Sequence, residues 1–129
     1  MKIENQVTSL ELSKKLKELG FEQESLFRHL VTISGFEKIE SSYHYRKKFE
    51  DVFGKVVEEY PAYTVAELGE MLPRYIKDNY ENTLTMYKCD AGYHVEYSCE
   101  KQLLRFEQAE TESDARAKML IYLKENNLL

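Results

Sequence analysis

From residue 111 onward the chain reads TESDARAKMLIYLKENNLL, with five apolar residues in succession from Met119 to Leu123. A surface helix needs only one apolar stripe, so an unbroken run in helical context predicts burial on more than one side. Thr111 stands where an N-cap is expected, and Glu112, Ser113 and Asp114 place negative charge at the positive end of the helix dipole. Glu112 with Arg116, and Asp114 with Lys118, have the spacing of one-turn pairs. Asn127 suits the left-handed residue past the helix end, which lets Leu128 fold back onto Leu123. This segment is the expected core helix, docked on a sheet formed by the residues before it.

Residues 8–19 predict a second helix. Leu12, Leu16 and Leu19 share a face, with Leu10 beside it. Thr8 and Glu11 have capping-box spacing, and Val7 and Leu12 stand at the staple positions. Gly20 supplies a stop, with Phe21 free to return to Leu16. Residues 23–34 carry apolar residues on both alternating faces, which predicts a strand covered on both sides, ended by Gly35. A partner strand through 36–45 would complete a hairpin. Phe49, Val52, Phe53, Val56, Val57 and Tyr60 fall at helical spacing, so 47–60 is read as helix, although Val56-Val57 also suits a strand. Pro61 is its expected end. Residues 64–72 predict a short helix with Thr64 and Glu67 as capping box, Tyr63 and Leu68 as staple, and Pro73 as stop. The polar stretch 77–82 reads as a loop. Three runs follow, 83–89, 93–99 and 102–109, joined by Asp90-Ala91-Gly92 and by Glu100-Lys101. That spacing predicts an antiparallel meander with one wet side.

The fold class is therefore α+β: an antiparallel meander of at least three strands, with helices packed mainly on one face. The 129 residues suit one domain, 1–129, large enough for a single core. No apolar run approaches the roughly 18–20 residues of a membrane span. The stretch MKIENQVTS has no apolar core of a secretory signal, so a cytoplasmic location is expected. Two cysteines, Cys89 and Cys99, fit reduced thiols better than a disulfide framework. The net charge of −5 is a poor match to a phosphate backbone.

Three blocks, SLELSKKLKELG continuing to Phe27, TVAELGEMLP, and ESDARAKMLIYL continuing to Asn126, occur here in this order. Together they resemble a family of small proteins encoded in bacterial prophages and other mobile elements. The resemblance covers about a third of the chain. It implies a mobile-element setting and lends no catalytic residues, since the blocks consist of caps, staples, stripes and stops.

No catalytic, cofactor-binding or metal-binding residues are assigned. His94-Val95-Glu96 matches the first part of a zinc-deaminase signature, but the Pro-Cys-x-x-Cys partner is missing. Cys89, His94 and Cys99 match no zinc-ligand spacing. His29, His44 and His94 have no sequence-local nucleophile or acid that argues a triad. Two binding candidates remain. Tyr87, Tyr93 and Tyr97 are expected to line the wet face of the meander, a surface suited to a protein partner. Tyr43, Tyr45, Arg46, Lys47 and Lys48, with His44 and Phe49 among them, interleave rings and charge as single-stranded nucleic-acid sites do. The balancing Glu50 and Asp51 disfavour the second. The expected function is a non-catalytic accessory protein that binds another protein, with single-strand nucleic-acid binding as the alternative. No membrane partner and no cofactor are expected.

Overall fold

The computed structural model describes residues 2–42, 46–76, 79–100 and 102–129, with backbone alone for 79–81. A 3₁₀ turn (Ile3–Asn5) precedes α1 (Leu10–Glu18). Then come β1 (Phe27–Thr32), β2 (Glu37–Ser41), α2 (Arg46–Phe53), β3 (Val56–Ala62) and α3 (Val65–Met71). The chain ends with β4 (Tyr75–Ile76), β5 (Asn79–Cys89), β6 (Gly92–Cys99), β7 (Gln102–Ala109) and α4 (Glu112–Glu125). Two antiparallel sheets result, in the orders β2-β1-β3 and β4-β5-β6-β7. The α+β class and the meander both hold, and a second sheet is added to them.

Helix α4 lies at the centre. It packs on β6 and β7 and also touches α1 and α3. Ala115, Ala117, Met119, Leu120 and Leu123 are all fully buried, against Val95 and Tyr97 of β6, Leu16 of α1 and Leu68 of α3. Contacts on several sides are why its apolar residues form a run instead of a stripe. Thr111 caps the helix by accepting the Asp114 N–H at 3.2 Å. Asn127 adopts φ +55°, and the Leu128 N–H reaches Leu123 O at 2.8 Å. Of the two one-turn pairs, Arg116 meets Glu112 at 2.6 Å. Asp114 instead accepts the backbone N–H of Ser9 at 2.8 Å, and Lys118 donates to Gln108 O.

Helix α1 ends as its sequence predicts. The N–H groups of Gly20 and Phe21 return to Lys17 O and Leu16 O, with Gly20 at φ +84°. Its start differs. The N-cap is Ser9, whose Oγ faces the Leu12 N–H at 3.5 Å. Thr8, fully buried, serves another purpose. Its hydroxyl lies 2.7 Å from Ser13 Oγ and accepts the Tyr63 N–H at 3.1 Å. Its N–H donates to Tyr63 O, and its carbonyl faces His29 Nε2 at 2.7 Å. Next to it, Val7 O accepts the Ser113 hydroxyl.

The helix expected over 47–60 divides at Gly54, whose φ of +100° is open to glycine but costly for other residues. Before it lies α2; after it the chain is strand, so Val56-Val57 belongs to β3. A register shift opposite Val31 and Thr32 lets Val56 bury while Val57 stays exposed. Pro61 sits inside β3 and not past a helix end. It is tolerated because β3 is an edge strand, pairing only with β1. Residues 79–82, expected in a loop, begin β5. Helix α3 shows the full capping box between Thr64 and Glu67. The first sheet has α2 on one face, through Phe49 against Leu30 and Val56, while α1 packs on β3.

Two measurements test this account. Leu120→Ala removes a fully enclosed side chain, and urea unfolding should show a loss of about 2–5 kcal/mol. Thr8→Val keeps the shape but leaves the Tyr63 N–H without an acceptor. It should cost about 1–3 kcal/mol, and more than Ser9→Ala, where a loosely held cap is lost. Equal effects would mean that Thr8 is an ordinary helix-start residue.

Candidate functional site

Strand register decides which tyrosines share a face. Tyr87 pairs with His94, Met86 with Val95, and Leu84 with Tyr97. Side chains alternate along a strand, so Tyr93, Val95 and Tyr97 point one way and Tyr87 with His94 the other. The expected three-tyrosine surface is therefore split. Tyr97 is fully buried under α4 and its hydroxyl donates to Pro73 O. Tyr93 is half-buried and packs against the same core. Tyr87 alone faces outward.

What accompanies Tyr87 is a stack of rings. The Tyr87 and His94 rings lie 4.6 Å apart at 18°, and His94 and Phe106 5.2 Å apart at 10°. Tyr87 is 48% exposed and Phe106 46%, while His94 between them is 8% exposed. Leu103, 52% exposed, stands beside Ser98 on the neighbouring strand. The face stays open because α4 covers the opposite side, through Val95, Tyr97 and Leu104.

Hydrogen bonds fix the central ring. Gln108 Nε2 lies 3.0 Å from His94 Nδ1, within hydrogen-bond reach. On the other side of the ring, Nε2 faces Glu96 Oε1 at 3.6 Å. Ring pairs of this kind contribute about 0.5–1.5 kcal/mol each beyond area burial. They also hold the outer rings against the central one.

Phe106 and Leu103 escaped the sequence reading for a specific reason. A register shift at Tyr97 and Ser98 puts two steps of β7 opposite one of β6. Leu104 and Arg105 consequently both turn toward α4, where Arg105 lies over the Tyr122 ring at 4.5 Å. Simple alternation along 102–109 would place Leu104 and Phe106 together. The bulge separates them.

The basic cluster is taken up differently. Tyr43, His44 and Tyr45 lie outside the described residues. Arg46 pairs with Glu50 at 3.0 Å and Glu59 at 3.5 Å, and donates to Val56 O. It fastens α2 to β3. Lys47 and Lys48 are exposed on α2, and Phe49 is buried beneath it. Cys89 and Cys99 are free thiols, each half-buried. Among the described residues no three His, Cys, Asp or Glu side chains gather as metal ligands.

Concavities are shallow and mixed. A groove of about 550 Å³ runs between α1, α4 and β7, lined by both Lys14, Lys15 and Lys118 and Glu11, Glu18 and Glu125. A second, about 690 Å³, lies among the 3₁₀ turn, α3 and the β5–β6 turn. A third, about 400 Å³, lies between residues 22–26 and α3 and has a different character, being lined by Glu22, Glu24, Glu67 and Glu70 with Tyr63. The tyrosines with moved acidities move upward. Burial pushes Tyr63 to about 12, with Glu22 and Glu67 adding to it, and burial raises Tyr97 as well. No helix among the described residues is long and apolar enough to cross a membrane.

No protein-family model, curated protein or solved structure matches the chain.

The raised phenols give a pH prediction. In the unfolded chain these tyrosines ionise near 10.0, below their folded values. The unfolded state then loses protons first, so stability is complete below pH 10 and falls as pH rises toward about 12. Melting temperatures across that window should drop, and Tyr63→Phe should flatten part of the slope. A wild-type melting temperature that holds level there would contradict the burial of both phenols.

Proposed function

We propose that the protein is a non-catalytic accessory protein that binds another protein through the open face of the β4-β5-β6-β7 sheet. The observation that carries this reading is the ring stack of Tyr87, His94 and Phe106, flanked by exposed Leu103. Aromatic side chains whose rotamers are already fixed lose little entropy on binding, which is a property of interface anchors. Grouped exposed apolar side chains mark contact surfaces more often than scattered ones do. The mobile-element setting rests on the three sequence blocks and supplies the circumstance for the test.

The test is affinity capture from a bacterial host during phage induction, with wild-type protein beside Tyr87→Ser/Phe106→Ser. Both positions are surface-exposed, so the variant should keep its circular dichroism and most of its melting temperature. A captured protein should be lost with the variant, and its affinity in a purified pair should fall by more than about tenfold, as expected of anchor residues. Equal capture by both forms would reject the open face as the binding surface.

A further inference from the structure

The two sheets have four outer strands, and three of them are closed against a further strand. Strand β4 is only two residues long. On β7, Lys118 donates to Gln108 O. On β3 main-chain groups are taken or missing. Lys17 donates to Glu59 O at 3.2 Å, Arg46 donates to Val56 O at 3.0 Å, and Pro61 has no N–H. Such devices keep sheet edges from pairing with other chains.

Strand β2 is different. The Thr32 N–H reaches Phe36 O at 2.8 Å, and the Ser42 N–H reaches Leu26 O at 3.0 Å. Bonded and unbonded pairs alternate along an antiparallel ladder. Lys38 stands opposite Leu30 and Glu40 opposite Arg28, so these even-numbered positions bond to β1. Glu37 and Ile39 therefore turn their N–H and C=O groups away from β1. Among the described residues nothing meets those outward groups.

The side chains make this edge complementary to itself. Lys38 and Glu40 share a face of the strand, with Nζ and Oε1 3.0 Å apart. When a second copy lies antiparallel with Ile39 opposite Ile39, Lys38 of each copy stands opposite Glu40 of the other. Those positions form the unbonded pair, where side chains approach most closely. A slide of two residues either way sets Lys38 against Lys38 or Glu40 against Glu40, and like charges directly opposite are destabilising. Charge thus selects a single register. The exposed ion pair within one chain is worth little, so exchanging it across the dyad costs little.

We propose that β2 pairs with β2 of a second copy of this chain about a two-fold axis at Ile39, joining two three-stranded sheets into one. Ile39 exchanges main-chain bonds with Ile39, and Glu37 bonds toward position 41 of the other copy. The contact is isologous, so it closes at a dimer and does not propagate. Phe36, 43% exposed and stacked on Phe53, precedes the strand and offers apolar area at each end of the joined ladder. A ladder of five residues lies at the low end of interface size, so the dimer is weak and depends on concentration.

The experiment is sedimentation velocity of the full chain from about 10 µM to about 1 mM, a range in which weak complexes form. Amide hydrogen exchange is measured at both ends of that range. The wild type should pass from monomer toward dimer. The Glu37 and Ile39 amides should exchange about threefold more slowly at the high end, because their N–H groups gain acceptors. Lys38→Glu and Glu40→Lys should each weaken association beyond about tenfold, since each sets like charges face to face. Mixing the two single variants, or combining both changes in one chain, should restore it. Ile39→Pro removes an outward N–H and should abolish it, with circular dichroism checking that each variant keeps its fold. Tyr87→Ser/Phe106→Ser should dimerise as the wild type does, which separates this contact from the ring face. A wild type that stays monomeric throughout overturns the proposal. So does a dimer whose Glu37 and Ile39 amides keep their monomer rates, or a charge mixture that fails to associate.

Discussion

Residues Val7, Thr8 and Ser9 are the join on which the architecture depends. A short extended segment in a protein interior must satisfy every backbone polar group, because each one left bare costs as much as a lost hydrogen bond. Here the partners come from distant parts of the chain. Val7 O accepts from Ser113 of α4, and the Ser9 N–H donates to Asp114 of the same helix. Thr8 bonds the backbone of Tyr63 on both its N–H and its hydroxyl, and His29 of β1 closes on its carbonyl. His29 in turn places Nδ1 3.0 Å from Glu37 of β2. One tripeptide thereby ties the central helix, the start of α3 and two strands of the first sheet. Apolar packing gives the core its stability, but it has no direction. The hydrogen bonds supply the direction.

The division between covered and open sheet faces follows from that placement. With α4 fixed at its N-terminus, its buried residues fall over β6 and β7, and the opposite face is left outward. An exposed edge at β7 would invite pairing with another chain. Lys118 from α4 reaches across to Gln108 O, and Arg105 and Glu107 put opposite charges along the strand. The bulge opposite Tyr97 and Ser98 adds local twist. These features discourage strand addition at the edge while leaving the ring stack on the flat of the sheet accessible, so the accessible feature is a side-chain surface and not a backbone ladder.

How far the sequence revealed this depends on the distance over which each feature is decided. Caps and stops are local, and Thr64, Glu67, Thr111, Gly20 and Asn127 act as their neighbours imply. Thr8 has the same local pattern as Thr64, yet it is taken away from capping by Tyr63, fifty-five positions on. Ser9 takes the cap because it is next in line. Val56 and Val57 fit helical spacing with Phe49 and Phe53, but Gly54 interrupts the helix and β1 offers a ladder that the local pattern cannot show. The tyrosines fail at a longer range still. Whether Tyr97 faces water depends on register with β5 and on α4, and whether Phe106 joins Tyr87 depends on one extra residue in β7. A one-residue slip moves a side chain to the other face. The strands that carry these rings were legible, and which side chains share the open face was not.

Charge follows a similar logic. The chain is acidic by −5, yet its five arginines are not available as a counterweight at the surface. Arg28, Arg46, Arg105 and Arg116 each hold a glutamate, and Arg46 and Arg116 also donate to backbone carbonyls. Arg74 lies over the Tyr75 ring at 5.3 Å. Arginine suits these roles because its planar fork binds in fixed directions and stays charged when partly buried. Arg28 also donates to Gln23 O at 2.6 Å, so the loop that carries Glu22 and Glu24 is itself tied down by a guanidinium.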